Sequence, residues 1–107
     1  MEIYTGRRTD GGCAVTVSDG NHTHALDPRF DLRKHSLTGF EWGYGGSGPA
    51  QLAIALAADV LGDDEAALDV YQRLKVRLVG RFPTDGWTLT QVELAEAVRA
   101  LARTGGE

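Results

Sequence analysis

Residues 39–61 read GFEWGYGGSGPAQLAIALAADVL. The first ten carry five glycines and three aromatics. The next thirteen, 49–61, contain only two polar residues, Gln51 and Asp59. A segment that is apolar nearly all round reads as a buried helix. Pro49 suits its first turn, Ser47 or Gly48 its N-cap, and Gly62 the left-handed position beyond its end. This junction divides the chain into halves of different character.

Upstream, residues 1–38 are β-rich. Residues 2–8 mix β-formers with polar residues, and Thr9-Asp10-Gly11-Gly12 is a turn signal. Residues 13–18 alternate, with Cys13, Val15 and Val17 on one face, which predicts a hairpin. Asp19-Gly20-Asn21 leads into a short third strand over 22–26, ended by Asp27-Pro28. Residues 27–38 have no clean period and read as a connecting loop or a short fourth strand anchored by Phe30 and Leu32.

Downstream, residues 49–103 read as three helices. Asp63 caps the second, over 64–81, with an apolar stripe of Ala67, Leu68, Tyr71, Leu74 and Leu78. Tyr71 is expected to pack towards the aromatic loop. Thr84-Asp85-Gly86 is a turn, and Trp87 is a core or staple residue. Thr90 and Glu93 have capping-box spacing and open the third helix, which runs to about Arg103. Its apolar face is Leu94, Ala95, Val98, Leu101 and Ala102, and 104–107 is a tail. Strands first and helices after predict an α+β fold. The expected architecture is a small antiparallel sheet, the hairpin plus a short third strand, packed against three C-terminal helices in one domain over 1–107.

Composition excludes several classes. The 107 residues carry a net charge of −4, from 11 basic and 15 acidic side chains. A negative balance argues against nonspecific nucleic-acid binding. No run of about 18 apolar residues exists to cross a membrane. Met1–Arg8 has no apolar core, so no secretory signal is predicted. Cys13 is the single cysteine, which excludes an intrachain disulfide and a thiolate zinc cluster and suits the cytoplasm.

Glycine is in excess, at 14 residues. Nine have turn, cap, strand or tail roles. The other five, Gly39, Gly43, Gly45, Gly46 and Gly48, need a reason, since each costs ~0.5–1 kcal/mol relative to alanine. Either the loop packs tightly under Phe40, Trp42 and Tyr44, or its backbone approaches a ligand. Gly45-Gly46-Ser47-Gly48 enters a helix N-terminus, where free amides favour an anion. It does not match a P-loop, because Pro49 stands where the lysine belongs.

The run Gly39-Phe40-Glu41-Trp42-Gly43-Tyr44-Gly45-Gly46-Ser47-Gly48-Pro49-Ala50-Gln51-Leu52-Ala53 resembles the signature of a small domain-of-unknown-function family of bacteria, archaea and their phages. His35-Ser36, Gly62-Asp63, Tyr71-Gln72-Arg73-Leu74-Lys75 and Gly86-Trp87-Thr88-Leu89 are similar too, while Leu37 departs from an expected proline. The resemblance spans roughly 35–92 and leaves the N-terminal hairpin unmatched. It implies no activity, and it implies that members travel in part on mobile elements.

Candidate chemistry is sparse. Glu41, between two aromatics, is a candidate acid or base, or else a carboxylate that holds the loop. His35, Ser36 and Ser47 invite a nucleophile–base reading but lack an elbow motif. His22 and His24, two apart, would share a strand face with Cys13 nearby, but no third ligand follows from spacing. Arg73, Arg77 and Arg81 make a basic stripe at intervals of four, and Arg29, Arg33 and Lys34 a second cluster. Nine arginines against two lysines favour specific bidentate contacts.

The resulting expectation is a non-catalytic, protein- or ligand-binding accessory module, from a mobile-element or phage setting. Its surface comprises Phe40, Glu41, Trp42, Tyr44, Gly45, Gly46, Ser47, Gly48, Arg73 and Arg77. The alternative is a small anion- or phosphate-binding protein or enzyme with residues 45–50 as the cradle. No cofactor, metal, nucleic acid or membrane is expected. Another protein is the expected partner; a second copy is also considered, because the first helix is more apolar than a three-helix layer needs.

Overall fold

The computed structural model describes residues 1–105, with side chains through Leu101. Strands β1 (Ile3–Thr9), β2 (Gly12–Ser18) and β3 (Thr23–Ala25) are followed by a long connection. Helices α1 (Ser47–Leu61) and α2 (Asp64–Arg77) come next. A single 3-10 turn, Val79–Arg81, then leads to strand β4 (Gly86–Thr90) and helix α3 (Gln91–Gly105). The fold is α+β, as the order of elements predicts.

The sheet has four antiparallel strands in the order β3-β2-β1-β4. β4 was not expected. Residues 84–90 read as a turn and a cap, yet Trp87 pairs with Gly6 and Leu89 with Tyr4 across β1. Three residues between a turn signal and a capping box carry too little periodicity to announce a strand. Pairing with β1, some 80 residues away, makes it one. Residues 27–38 form the connection and no strand.

Alternation places Tyr4 and Gly6 of β1, and Val15 and Val17 of β2, on the buried face. That face meets α1, where the Tyr4 hydroxyl donates to Asp59 Oδ2 at 2.6 Å. α2 and α3 pack on α1 from its other sides. Every α1 residue from Gly48 to Ala58 is buried. The apolar excess that suggested a second copy is therefore absorbed inside the protomer.

Helix ends follow local chemistry, with three corrections. Gly46, in extended conformation and without a side-chain cap bond, is the α1 N-cap; Ser47 and Gly48 already belong to the helix. α2 stops at Arg77 rather than 81, and Val79–Arg81 tightens into the 3-10 turn. α3 extends through Thr104 and Gly105; Gly106 and Glu107 of the expected tail lie outside the described residues, as do the side chains of residues 102–105, Ala102 of the expected apolar face among them. Gly62 adopts φ 64° and closes α1 through its N–H to Ala58. Asp63 accepts from the Ala66 amide. Thr90 and Glu93 exchange reciprocal bonds of 3.1 and 2.9 Å, a complete capping box. No helix among the described residues is long and apolar enough to cross a membrane.

Candidate functional site

The three loop aromatics have different fates. Trp42 is 1% exposed, Phe40 is partly buried against the core, and Tyr44 is 51% exposed. The Trp42 indole N–H donates to the Thr84 carbonyl at 3.1 Å. Its ring meets Trp87 edge-on at 5.7 Å, and Trp87 stacks on Phe82 at 4.3 Å. Trp42 is thus the keystone of an aromatic cluster that joins loop, sheet and the segment before β4.

Arg8 locks this arrangement, and sequence reasoning missed it. It lies in phase with Tyr4 and Gly6 on the inward face of β1, at the end where the core runs out. Its Nε donates to the Thr84 carbonyl at 2.8 Å and its guanidinium sits 5.1 Å from the Trp42 ring centroid. Nη1 donates to Cys13 Sγ at 3.2 Å, and pairs with Glu41 at 3.0 Å. The signal was available: strand alternation carries the inward face from Tyr4 to Arg8, directly opposite Cys13. Glu41 is therefore the carboxylate of a clamp. Burial first, then the Glu41 carboxylate, push the Cys13 thiol up. A protonated thiol is a poor nucleophile or metal ligand.

Two glycines at the α1 N-terminus are packed against their own loop. A Cβ on Gly48 would stand 2.5 Å from Glu41 Cβ, and the Tyr44 ring lies over Gly46. Gly43, at φ 86°, brings its amide to the Val79 carbonyl at 3.1 Å. At Gly43, Gly46 and Gly48 the glycines serve close packing, while Gly45 has open space around it.

Gln51 is the one buried polar side chain among the described residues, at 0% exposure. Its Oε1 accepts from the His35 and Ser36 amides, at 2.7 and 3.1 Å. Its Nε2 donates to the Pro28 and Arg33 carbonyls, at 2.6 and 3.0 Å. One carboxamide, fully satisfied, thereby pins the long connection onto α1. His35 Nε2 meets the Tyr71 hydroxyl at 2.7 Å. Tyr71 thus packs on His35, contrary to the expectation that it faces the aromatic loop. Ser36 contacts Thr38, and Ser47 is exposed. The nucleophile–base reading finds no assembled pair among these contacts.

His22 and His24 are exposed at the edge strand. His24 pairs with Val17, four residues along β2 from Cys13, or about 13 Å at ~3.3 Å per residue. Cys13 thus lies beyond their reach. Of the second basic cluster, Arg29 is spent on structure, while Arg33 and Lys34 are exposed and form no ion pair among the described residues. Arg29, at φ 56°, bonds Asp31 and Asp64 at 3.0 Å each, holding the Asp31 carboxyl below its usual range.

Arg73 and Arg77 of α2, with Arg81 of the 3-10 turn, behave differently. Arg73, Arg77 and Arg81 rim a groove of about 340 Å³ between α2 and α3, with Leu74, Leu78 and Leu101 among its apolar lining. All three arginines are exposed. Among the described residues none forms an ion pair, whereas Arg8 and Arg29 both do. Tyr44 approaches the same end of the molecule, its carbonyl 3.2 Å from where a Cβ of Gly80 would stand, one residue before Arg81.

The chain belongs to a family of unknown function, DUF6166, whose family model matches residues 4–100. On that premise the whole fold from β1 to α3 is the family's unit. The N-terminal hairpin, unmatched in the sequence resemblance, is part of it. Neither the curated proteins nor the solved structures supply a match.

Proposed function

We propose that the chain is a non-catalytic binding module that recognises another protein through the α2–α3 groove, with Tyr44 as an aromatic contact beside it. One observation carries the reading: three exposed arginines, without an ion-pair partner among the described residues, line an apolar groove in a protein of net charge −4. Arginine and tyrosine are residues that interfaces use as anchors. Of the loop residues first considered, Tyr44 keeps a recognition role, while Trp42, Glu41 and Gly48 hold the loop together. The proposal includes an accessory role carried by a phage or mobile element, supported by the signature resemblance. A reducing, cytoplasmic setting belongs to it as well, supported by the single free thiol of Cys13.

Affinity capture from the native host tests the proposal, comparing wild type with R73E/R77E and with Y44A. The expected result is a partner retained by wild type and lost from the charge-reversed variant, whose melting temperature stays close to wild type. Equal recovery by all three proteins would remove the groove as the surface. Absence of any partner for wild type would remove the binding-module reading.

A further inference from the structure

We infer that the occupant of the α2–α3 groove is an amphipathic helix with a row of carboxylates along one edge of its apolar stripe. The inference rests on the groove reading and names the chemistry of the partner. Arg73 and Arg77 are one helical turn apart, about 6 Å along the axis at ~1.5 Å per residue; Arg81, in the 3-10 turn beyond the end of α2, lines the same groove. Like charges at this spacing repel, and no acidic side chain among the described residues stands within ion-pair distance of them. An external row of Asp or Glu at i and i+4 has the same repeat, and each guanidinium can grip a carboxylate in bidentate fashion.

The rest of the groove fits the apolar side of such a helix. Leu78, the C-cap of α2, and Ala97 and Leu101 of α3 offer the apolar contact, the alanine leaving room for a close approach, while Leu74 lies fully buried beneath them as the floor. At about 340 Å³ the groove is at the small end for drug-sized ligands but suits two or three apolar side chains in file. An anionic membrane fits less well. The apolar face of α2, including Ala67, Val70, Tyr71 and Leu74, is buried in the protein's own core and has nothing to insert. Nucleic acid is disfavoured by the net charge of −4.

The test is a displayed library of helical peptides with a fixed leucine stripe and flanking positions varied among Asp, Glu, Lys, Arg, Ser and Gln, panned on the full chain. Enriched peptides should carry acidic residues four apart on one edge of the stripe. Binding of the best of them, read by fluorescence anisotropy, should weaken at least tenfold in R73Q/R77Q/R81Q and weaken with added salt. The single variant R77Q should show a smaller loss in the same direction, which covers the case of a triple variant that folds poorly. Neutral or basic enrichment, or affinity unchanged in both variants, overturns the inference. Peptides sensitive to Y44A but not to the arginine changes overturn it while leaving a binding module in place; no enrichment at all overturns both. Vesicles of phosphatidylglycerol and phosphatidylcholine form a parallel arm. Arginine-dependent vesicle binding without peptide binding assigns the row to lipid and overturns the acidic helix.

Discussion

Single side chains in this protein act as joints between distant segments. Trp42 holds the glycine loop to Thr84, Trp87 and Arg8 at once. Trp42→Ala should destabilise the fold by ~3–5 kcal/mol, with a melting temperature lower by more than about 10 °C in a thermal scan. Tyr4 is a second joint, its hydroxyl donating to Asp59 and to Glu2. Burial, and then the Asp59 carboxylate, push that hydroxyl far above its ordinary value of 10.0. The unfolded chain releases this proton near pH 10 while the folded chain keeps it, so the contribution is whole below pH 10 and declines above it. Urea melts from pH 8 to 11.5 should show wild type losing stability more steeply than Tyr4→Phe above pH 10; parallel slopes would count against this account. Gly6 shows the reverse of a joint. A Cβ there would stand 2.3 Å from the Trp87 indole, so Gly6→Ala should cost ~1–3 kcal/mol in chemical denaturation through overpacking.

At the scale of elements, those defined by local rules were legible and those defined by pairing were not. α1 announced itself by composition, α2 by the Asp63 cap and α3 by the Thr90–Glu93 box, because caps act within three or four residues. β4 stayed hidden because β1 defines it. The connection 26–46 is likewise held from outside, by Gln51. Gln51→Leu would leave the His35 and Ser36 amides and two carbonyls without their partner. The expected cost is on the order of 3 kcal/mol, with faster tryptic cleavage at the exposed Arg33 and Lys34 in limited proteolysis. Unchanged cleavage would show that other contacts suffice to hold the segment.

Across the whole molecule, one core unites sheet and helices around α1. β1 lies between β2 and β4, while β3 is a short, exposed edge. Native-state hydrogen exchange should therefore be slowest in α1 and β1 and fast in β3. Equal protection of β3 and β1 would contradict this hierarchy. The candidate site belongs to this scale as well. Arg73, Arg77 and Arg81 were visible as arginines at intervals of four, but Arg81 lies beyond the end of α2, and the groove the three rim exists only once α3 brings Ala97 and Leu101 beside them. The loop aromatics, alike in sequence, were separated by where the fold ran out of core: Trp42 fell within it and Tyr44 at its edge.

The sequence by itself determined the α+β class, the hairpin, the three helices and most of their caps, and the place where glycine accumulates. Those features arise from backbone propensity, side-chain period and hydrogen bonds between near neighbours, all of which are written locally. Tertiary structure alone decided the fourth strand, the Arg8 clamp and the Gln51 anchor. It also decided which aromatic remains exposed and which arginines form no ion pair among the described residues. Each of these depends on what a residue meets from a distant part of the chain, and burial and charge pairing are properties of that meeting rather than of the residue.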